Sequence, residues 1–178
     1  MSPQARFTEF MREHFGDEPI SIIEIGTASG LWTEHVLRNY PSIKILYSID
    51  PYLHFPGEKY EGGRSQDWHD KIFTVSRKRL KGYGNLARYI CTSDEAAESF
   101  KADGITVDVV YIDGNHNEKY ITSDVENYYP LVELGGLFAG HDYNLPQVKK
   151  VVNDRFGLDR VNVFREERIW WIKKDTHL

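Results

Sequence analysis

Five apolar runs recur along the chain: ISIIEIG (20–26), IKILYSID (43–50), LARYIC (86–91), VDVVYID (107–113) and GLFAGHD (136–142). Each has the length of a strand, and apolar residues fall on both faces, as in strands covered from two sides. The segments between them carry helical spacing. Strand and helix therefore alternate, which predicts an α/β fold with a mainly parallel sheet and helices on both faces.

Several element ends are readable. In DWHDKIFTVSRKRLKG, Asp67 is placed to cap a helix whose Trp68, Ile72 and Val75 recur on one face, with Gly82 beyond its end. Its last turns hold Arg77, Lys78, Arg79 and Lys81, cations favoured by the negative end of the helix dipole. Farther on, Asn144 with Gln147 has the spacing of a capping box, Val148, Val151 and Val152 form a stripe, and Gly157 stops the helix. The final segment VNVFREERIWWIKK (161–174) contains two short strand-like runs separated only by Arg165 to Arg168. That gap has no room for a crossover helix, so the two runs predict an antiparallel hairpin with Trp170 and Trp171 on opposite sides of the sheet. The connection PYLHFPGEKYEGGRSQ (51–66) is long for a strand-to-helix link and mixes glycines with aromatics, as lids and binding loops do; a plain surface excursion is the alternative.

Composition narrows the class without naming it. The 178 residues suffice for one domain with a sizeable core, here taken as 1–178. Hydrophobic content of 40% and charged content of 28% are ordinary for a soluble globular chain. A net charge of -5 argues against nucleic acid or anionic membrane as partner. Neither a signal peptide nor an apolar span is evident, so the expected location is cytoplasmic. Cys91 is the single cysteine, which excludes an internal disulfide and a cysteine-rich zinc site, and its place in an apolar run predicts a small buried thiol.

The chemistry-bearing residues cluster at strand ends. The first run closes as Glu24-Ile25-Gly26-Thr27-Ala28-Ser29-Gly30. A dinucleotide loop reads G-x-G-x-x-G and seats a pyrophosphate on the following helix. Here Ala28 stands at the middle glycine, and Glu24 brings a carboxylate where a polyphosphate would be repelled. The turn suits a cationic ligand such as S-adenosylmethionine, which carries a sulfonium and an ammonium but no phosphate; a purely structural glycine turn is the alternative. Asp50 ends the second run, where a carboxylate can accept both ribose hydroxyls or cap the chain before Pro51. Ser93 and Asp94 stand where an adenine edge can be read, and also where a helix must be capped.

Taken together, Glu24-x-Gly26-x-x-x-Gly30, Asp50, VVYIDGNH, LGGLFAGHDY and the closing hairpin resemble the class I S-adenosylmethionine-dependent methyltransferases over nearly the whole chain. The resemblance is strongest to small-molecule O-methyltransferases of the catechol and macrocin types. It implies a Rossmann-like seven-stranded sheet of order 3-2-1-4-5-7-6, with only the last strand antiparallel. It implies that Glu24, Gly26, Thr27, Gly30, Asp50, Ser93, Asp94 and Asp113 line the donor site. In the catechol enzymes an aspartate at the end of each of strands four and five binds Mg²⁺, which correspond to Asp113 and Asp142. Their general-base lysine falls at His116, a residue that titrates near neutral pH. One departure is Tyr143 where those enzymes carry asparagine. His141 can supply the missing ligand, tilting preference toward Mn²⁺, or act in catalysis beside His116 and Asp113 without metal. The implied reaction is methyl transfer to an oxygen of a small-molecule acceptor. Its rivals are an NAD-linked oxidoreductase and a non-catalytic donor-binding module. Neither the acceptor nor an oligomeric state is specified by these residues.

Overall fold

The computed structural model describes residues 1–59 and 61–175. The apolar runs form strands β1 (Ile20–Ile25), β2 (Ile43–Ile49), β3 (Leu86–Tyr89), β4 (Val107–Ile112) and β5 (Val132–Gly140). The closing segment forms β6 (Asn162–Phe164) and β7 (Ile169–Lys173). The sheet order is β3-β2-β1-β4-β5-β7-β6. Strands β1 to β5 pair in parallel, and β7 runs antiparallel to both β5 and β6. This is the Rossmann-like architecture and strand order that the resemblance implies.

Among the described residues six α-helices cover the sheet: α1 (Pro3–Phe15), α2 (Leu31–Asn39), α3 (Gln66–Arg79), α4 (Ser93–Ala102), α5 (Glu118–Tyr128) and α6 (Pro146–Phe156). Alternate residues of β1 point to opposite layers. Ile23 and Ile25 join Ala96, Phe100, Ile121, Val125, Val148 and Val152 from α4, α5 and α6. Ile20 and Ile22 join Phe7, Met11, Trp32 and Val36 from α1 and α2. The sheet is thus buried on both sides, which is why its strands read as continuous apolar runs. Trp170 and Trp171 divide between the same two layers, as the hairpin alternation predicts. Gly140 pairs with Trp170, and a Cβ there would stand 2.6 Å from the indole, so glycine lets β7 close on β5.

Several local expectations are corrected. Asp67 does not cap α3; Ser65 does, with its hydroxyl accepting from Trp68 N at 3.3 Å. The buried positions of α3 are His69 and Ser76, whereas Val75 is 43% exposed. The inner face of α3 is polar, so apolar periodicity does not mark it. The α6 capping box does not form: Leu145 is the N-cap, without a side-chain cap bond, and Pro146 opens the helix. Gly157 does end α6, and Val148, Val151 and Val152 are buried. Strand β3 stops at Tyr89, leaving Ile90 exposed and Cys91 only partly buried. The cap of α4 is neither Ser93 nor Asp94 but Thr92, in a reciprocal capping box with Glu95. Helix α1 carried no sequence expectation, although Phe7 and Met11 are fully buried. No helix among the described residues is long and apolar enough to cross a membrane.

Candidate functional site

The C-terminal ends of β1, β2, β4 and β5 lie side by side, so the polar residues that close them meet along one sheet edge. Glu24 is the penultimate residue of β1 and is 1% exposed. Its Oε2 accepts from the Thr33 hydroxyl of α2 at 2.6 Å. Burial, outweighing that bond, pushes its pKa up to about 8. In the ligand-free chain near neutral pH, Glu24 is therefore mainly a neutral acid and not the carboxylate its place in the sequence predicts. A cation beside it would restore its charge.

Gly26 follows at φ +90°, and a Cβ there would stand 2.1 Å from the Asp113 carbonyl. Only glycine lets the turns after β1 and β4 approach so closely. Asp113 N in turn donates to Ile25 O at 2.8 Å. Thr27 is 4% exposed, and its hydroxyl has no hydrogen-bond partner among the described residues. Ala28 is left-handed at φ +43° and donates its N–H to Asp50 Oδ2 at 2.8 Å. Asp50 Oδ1 accepts from Tyr52 N at 2.9 Å. Asp50 therefore performs the capping role and braces the turn after β1, with lone pairs remaining on both oxygens. Gly30 is the N-cap of α2.

Ser93 and Asp94 begin α4, beside β3 and facing α5. Asp94 Oδ1 accepts from Ser123 Oγ at 2.5 Å and Asn127 Nδ2 at 3.1 Å. The Ser93 side chain hydrogen-bonds Asp124, a 2% exposed acid of α5 that no motif flagged. Burial pushes Asp124 up to about 7. Its Oδ2 sits 3.8 Å from where a Cβ on Gly114 would stand, so Ser93 and the turn after β4 share a wall.

At the neighbouring strand ends, Asp113, His116, His141 and Asp142 converge. His116 Nε2 is 3.0 Å from Asp142 Oδ2 and 3.9 Å from Asp113 Oδ1. His141 Nδ1 is 3.3 Å from Asp142 Oδ2 and 3.6 Å from Asp113 Oδ1. Hydrogen bonds from His116 and His141 hold the Asp142 carboxyl well below the usual carboxylate range. For His141, burial pulls the imidazole down, but the bond to Asp142 and the charges of Asp113 and Asp142 outweigh it and its pKa is raised. Asp142 occupies the left-handed region at φ +56°, and strain at a polar strand end is a recurrent mark of functional sites. One ligand atom each from Asp113, His141 and Asp142 lie within 4.8 Å of one another, a spacing that can hold a cation.

The chain belongs to the methyltransferase-domain family, whose match runs from residue 23 to residue 143 and takes in every strand end described above. Its sheet has the strand order of the class I methyltransferase fold. Its similarity to solved structures is one of fold. The calicheamicin methyltransferase CalS11 superposes at a TM-score of 0.70 with 14% identity, over 94% of this chain and 77% of that one. The O-methyltransferase NovP superposes at 0.66 with 16% identity, over 96% and 80%. MycE of mycinamycin biosynthesis, solved with Mg, SAH and mycinamycin VI, superposes at 0.59 with 14% identity, over 96% and 49%. In sequence the chain is similar to the uncharacterized protein R132 of Acanthamoeba polyphaga mimivirus, 25% identical over 154 residues. It spans 82% of this chain and 65% of that relative.

Proposed function

We propose that the protein transfers the methyl group of S-adenosylmethionine to an oxygen of a small-molecule acceptor, assisted by a divalent cation. The observation that carries the reading is the adjacency of two polar clusters at one sheet edge. One is built on Glu24, Gly26, Thr27 and Asp50, the other on Asp113, His116, His141 and Asp142. The first fits the donor: Gly26 permits close backbone approach, Thr27 offers a buried hydroxyl without a partner among the described residues, and Asp50 has lone pairs for ribose hydroxyls. Ala28 in place of a glycine disfavours a pyrophosphate, and with it NAD. Ser93 and Asp94 complete the donor site on the side of β3.

The second cluster fits a cation through two carboxylates and one imidazole, a mixed donor set that favours Mn²⁺ over Mg²⁺. When bound, the donor supplies an electrophilic methyl on sulfur, and the cation lowers the pKa of the acceptor hydroxyl. The rest falls to the chain. Asp142, with Oδ2 3.0 Å from His116 Nε2, holds the imidazole at the mouth of the site, where it takes the acceptor proton. Asp113, on the turn packed against Gly26, fixes the distance between the donor and acceptor sites. Holding oxygen, methyl and sulfur in line supplies much of the rate. MycE, whose structure holds Mg and SAH, is a precedent for a cation beside the donor product on this fold.

Calorimetry tests the reading. S-adenosylhomocysteine should bind and NAD should give no heat under the same conditions. Asp50→Ala should weaken that binding by about 1.5–3 kcal/mol, the scale of lost hydrogen bonds to a charged group. Tight NAD binding without S-adenosylhomocysteine binding would falsify the assignment.

A further inference from the structure

The connection from β2 to α3 is anchored at its root, along its limbs and at its tip. At the root, Tyr52 N donates to Asp50 and the Tyr52 hydroxyl donates to Ala28 O at 3.0 Å. The limbs close on each other. Phe55 N donates to Gly62 O at 2.8 Å, a His54 ring nitrogen lies 2.7 Å from Arg64 O, and Gln66 Nε2 donates to Tyr52 O at 3.0 Å. At the tip, Gly57 and Lys59 are exposed, yet Glu58 between them turns inward and is half-buried. Its Oε2 accepts from Asn117 Nδ2, and its carboxylate also bonds the Tyr120 side chain. Gly62 lies against Asn115, where a Cβ would stand 3.3 Å from Asn115 Nδ2. Asn115 Oδ1 accepts from Asn117 N at 2.9 Å.

The two residues so engaged, Asn115 and Asn117, flank His116. A surface excursion would leave its tip in water. This one instead spends a carboxylate on the N-terminus of α5, where Asn117 is the N-cap. Because Asn117 N–H is already committed to Asn115 and its side chain to Glu58, the backbone on both sides of His116 has little freedom to rotate. The same loop is fastened to Ala28 and Asp50 at its other end, so it spans from the donor turn to the histidine turn.

We propose that residues 51–59 and 61–66 form a strap whose Glu58 acts as a positioning residue, holding the turn that presents His116. The role assigned to His116 rests on the function proposed above; the mechanical coupling does not. Glu58 touches neither donor nor acceptor in this scheme. It acts through Asn117 and Tyr120.

Hydrogen exchange and ring NMR on the ligand-free protein test the coupling. In Glu58→Ala, the amides of Asn117, Tyr120 and Ile121 should exchange about 3- to 10-fold faster, as expected for losing one hydrogen bond. The His116 ring signal should shift. Glu58→Gln keeps an acceptor for Asn117 and should restore both to within about 2-fold and to the wild-type position. Amides of Ile23 and Val110 in the central strands should not change in either variant. Unchanged exchange at Asn117 and an unmoved His116 ring in Glu58→Ala would overturn the strap. So would a Glu58→Gln variant that behaves like the alanine. These readouts use no donor, metal or acceptor, so a protein that binds no S-adenosylhomocysteine would refute the methyl-transfer reading and leave the strap standing.

Discussion

His116 Nε2 stands 3.0 Å from Asp142 Oδ2, joining the turn after β4 to the end of β5 across the mouth of the site. The contact gives the imidazole one defined orientation and gives Asp142 a reason to stay ionised. It also separates the functions of the two residues, because one can be removed while the other keeps its remaining partners.

If His116 takes the acceptor proton, His116→Ala should lose on the order of 10²–10⁴ in methyl-transfer rate. Binding of S-adenosylhomocysteine should be retained, since Glu24 and Asp50 are held by Thr33, Ala28 and Tyr52 rather than by His116. Rate measurements with radiolabelled donor and a panel of hydroxylated acceptors, beside calorimetry on the same variant, check both halves. A variant transferring at the wild-type rate would remove His116 from the chemistry.

The cation prediction is read first without turnover. Mn²⁺ titrated into the wild type and followed by electron paramagnetic resonance should bind, and Asp142→Ala should weaken that binding by more than about 10-fold. The variant should still bind S-adenosylhomocysteine. EDTA should stop transfer by the wild type, with Mn²⁺ or Mg²⁺ restoring it. Full activity in EDTA from a protein that binds no Mn²⁺ would leave only the donor half of the site.

Glu24 ties stability to pH. Its folded pKa of about 8 lies above its ordinary 4.5, so between those values the folded chain holds a proton that the unfolded chain has released. Stability from this group is whole below pH 4.5, falls as pH rises toward 8, and is then level. The span amounts to roughly 5 kcal/mol at most. Asp124, raised to about 7 by burial, slopes the same way. Urea denaturation of Glu24→Gln at pH 5 and pH 8 should therefore lose the Glu24 share of the slope and keep the Asp124 share. A variant whose pH slope matches the wild type would remove Glu24 as its source.

Lys174 offers a test remote from the site. It is 4% exposed, and its ammonium donates to Tyr129 O at 3.2 Å, Pro130 O at 3.0 Å and Val132 O at 2.6 Å. These carbonyls belong to the turn that leads into β5. Lys174→Met keeps the stem's bulk but leaves three acceptors without their donor. It should cost about 2–4 kcal/mol by denaturant unfolding without altering donor affinity. A loss below about 0.5 kcal/mol would show that water replaces the ammonium.

Periodicity and spacing along the chain determined the parallel sheet, its reversed last strand and the strand ends that carry Glu24, Asp50, Asp113 and Asp142. Those features depend on contiguous residues: an apolar run buried on both faces announces itself, and a gap too short for a helix leaves only a hairpin. The tertiary structure decided the rest. The ionisation of Glu24 depends on complete burial and on Thr33 from α2. The orientation of His116 depends on Asp142 from another strand. The grip of Glu58 on Asn117 joins residues 59 positions apart. Helix α3 hid its buried face for the same reason, because His69 and Ser76 are polar and count as inward only once the chain is folded. Local pattern reports which surfaces must leave water. Which polar groups then meet, and what charge they keep, is settled by partners that sequence separation conceals.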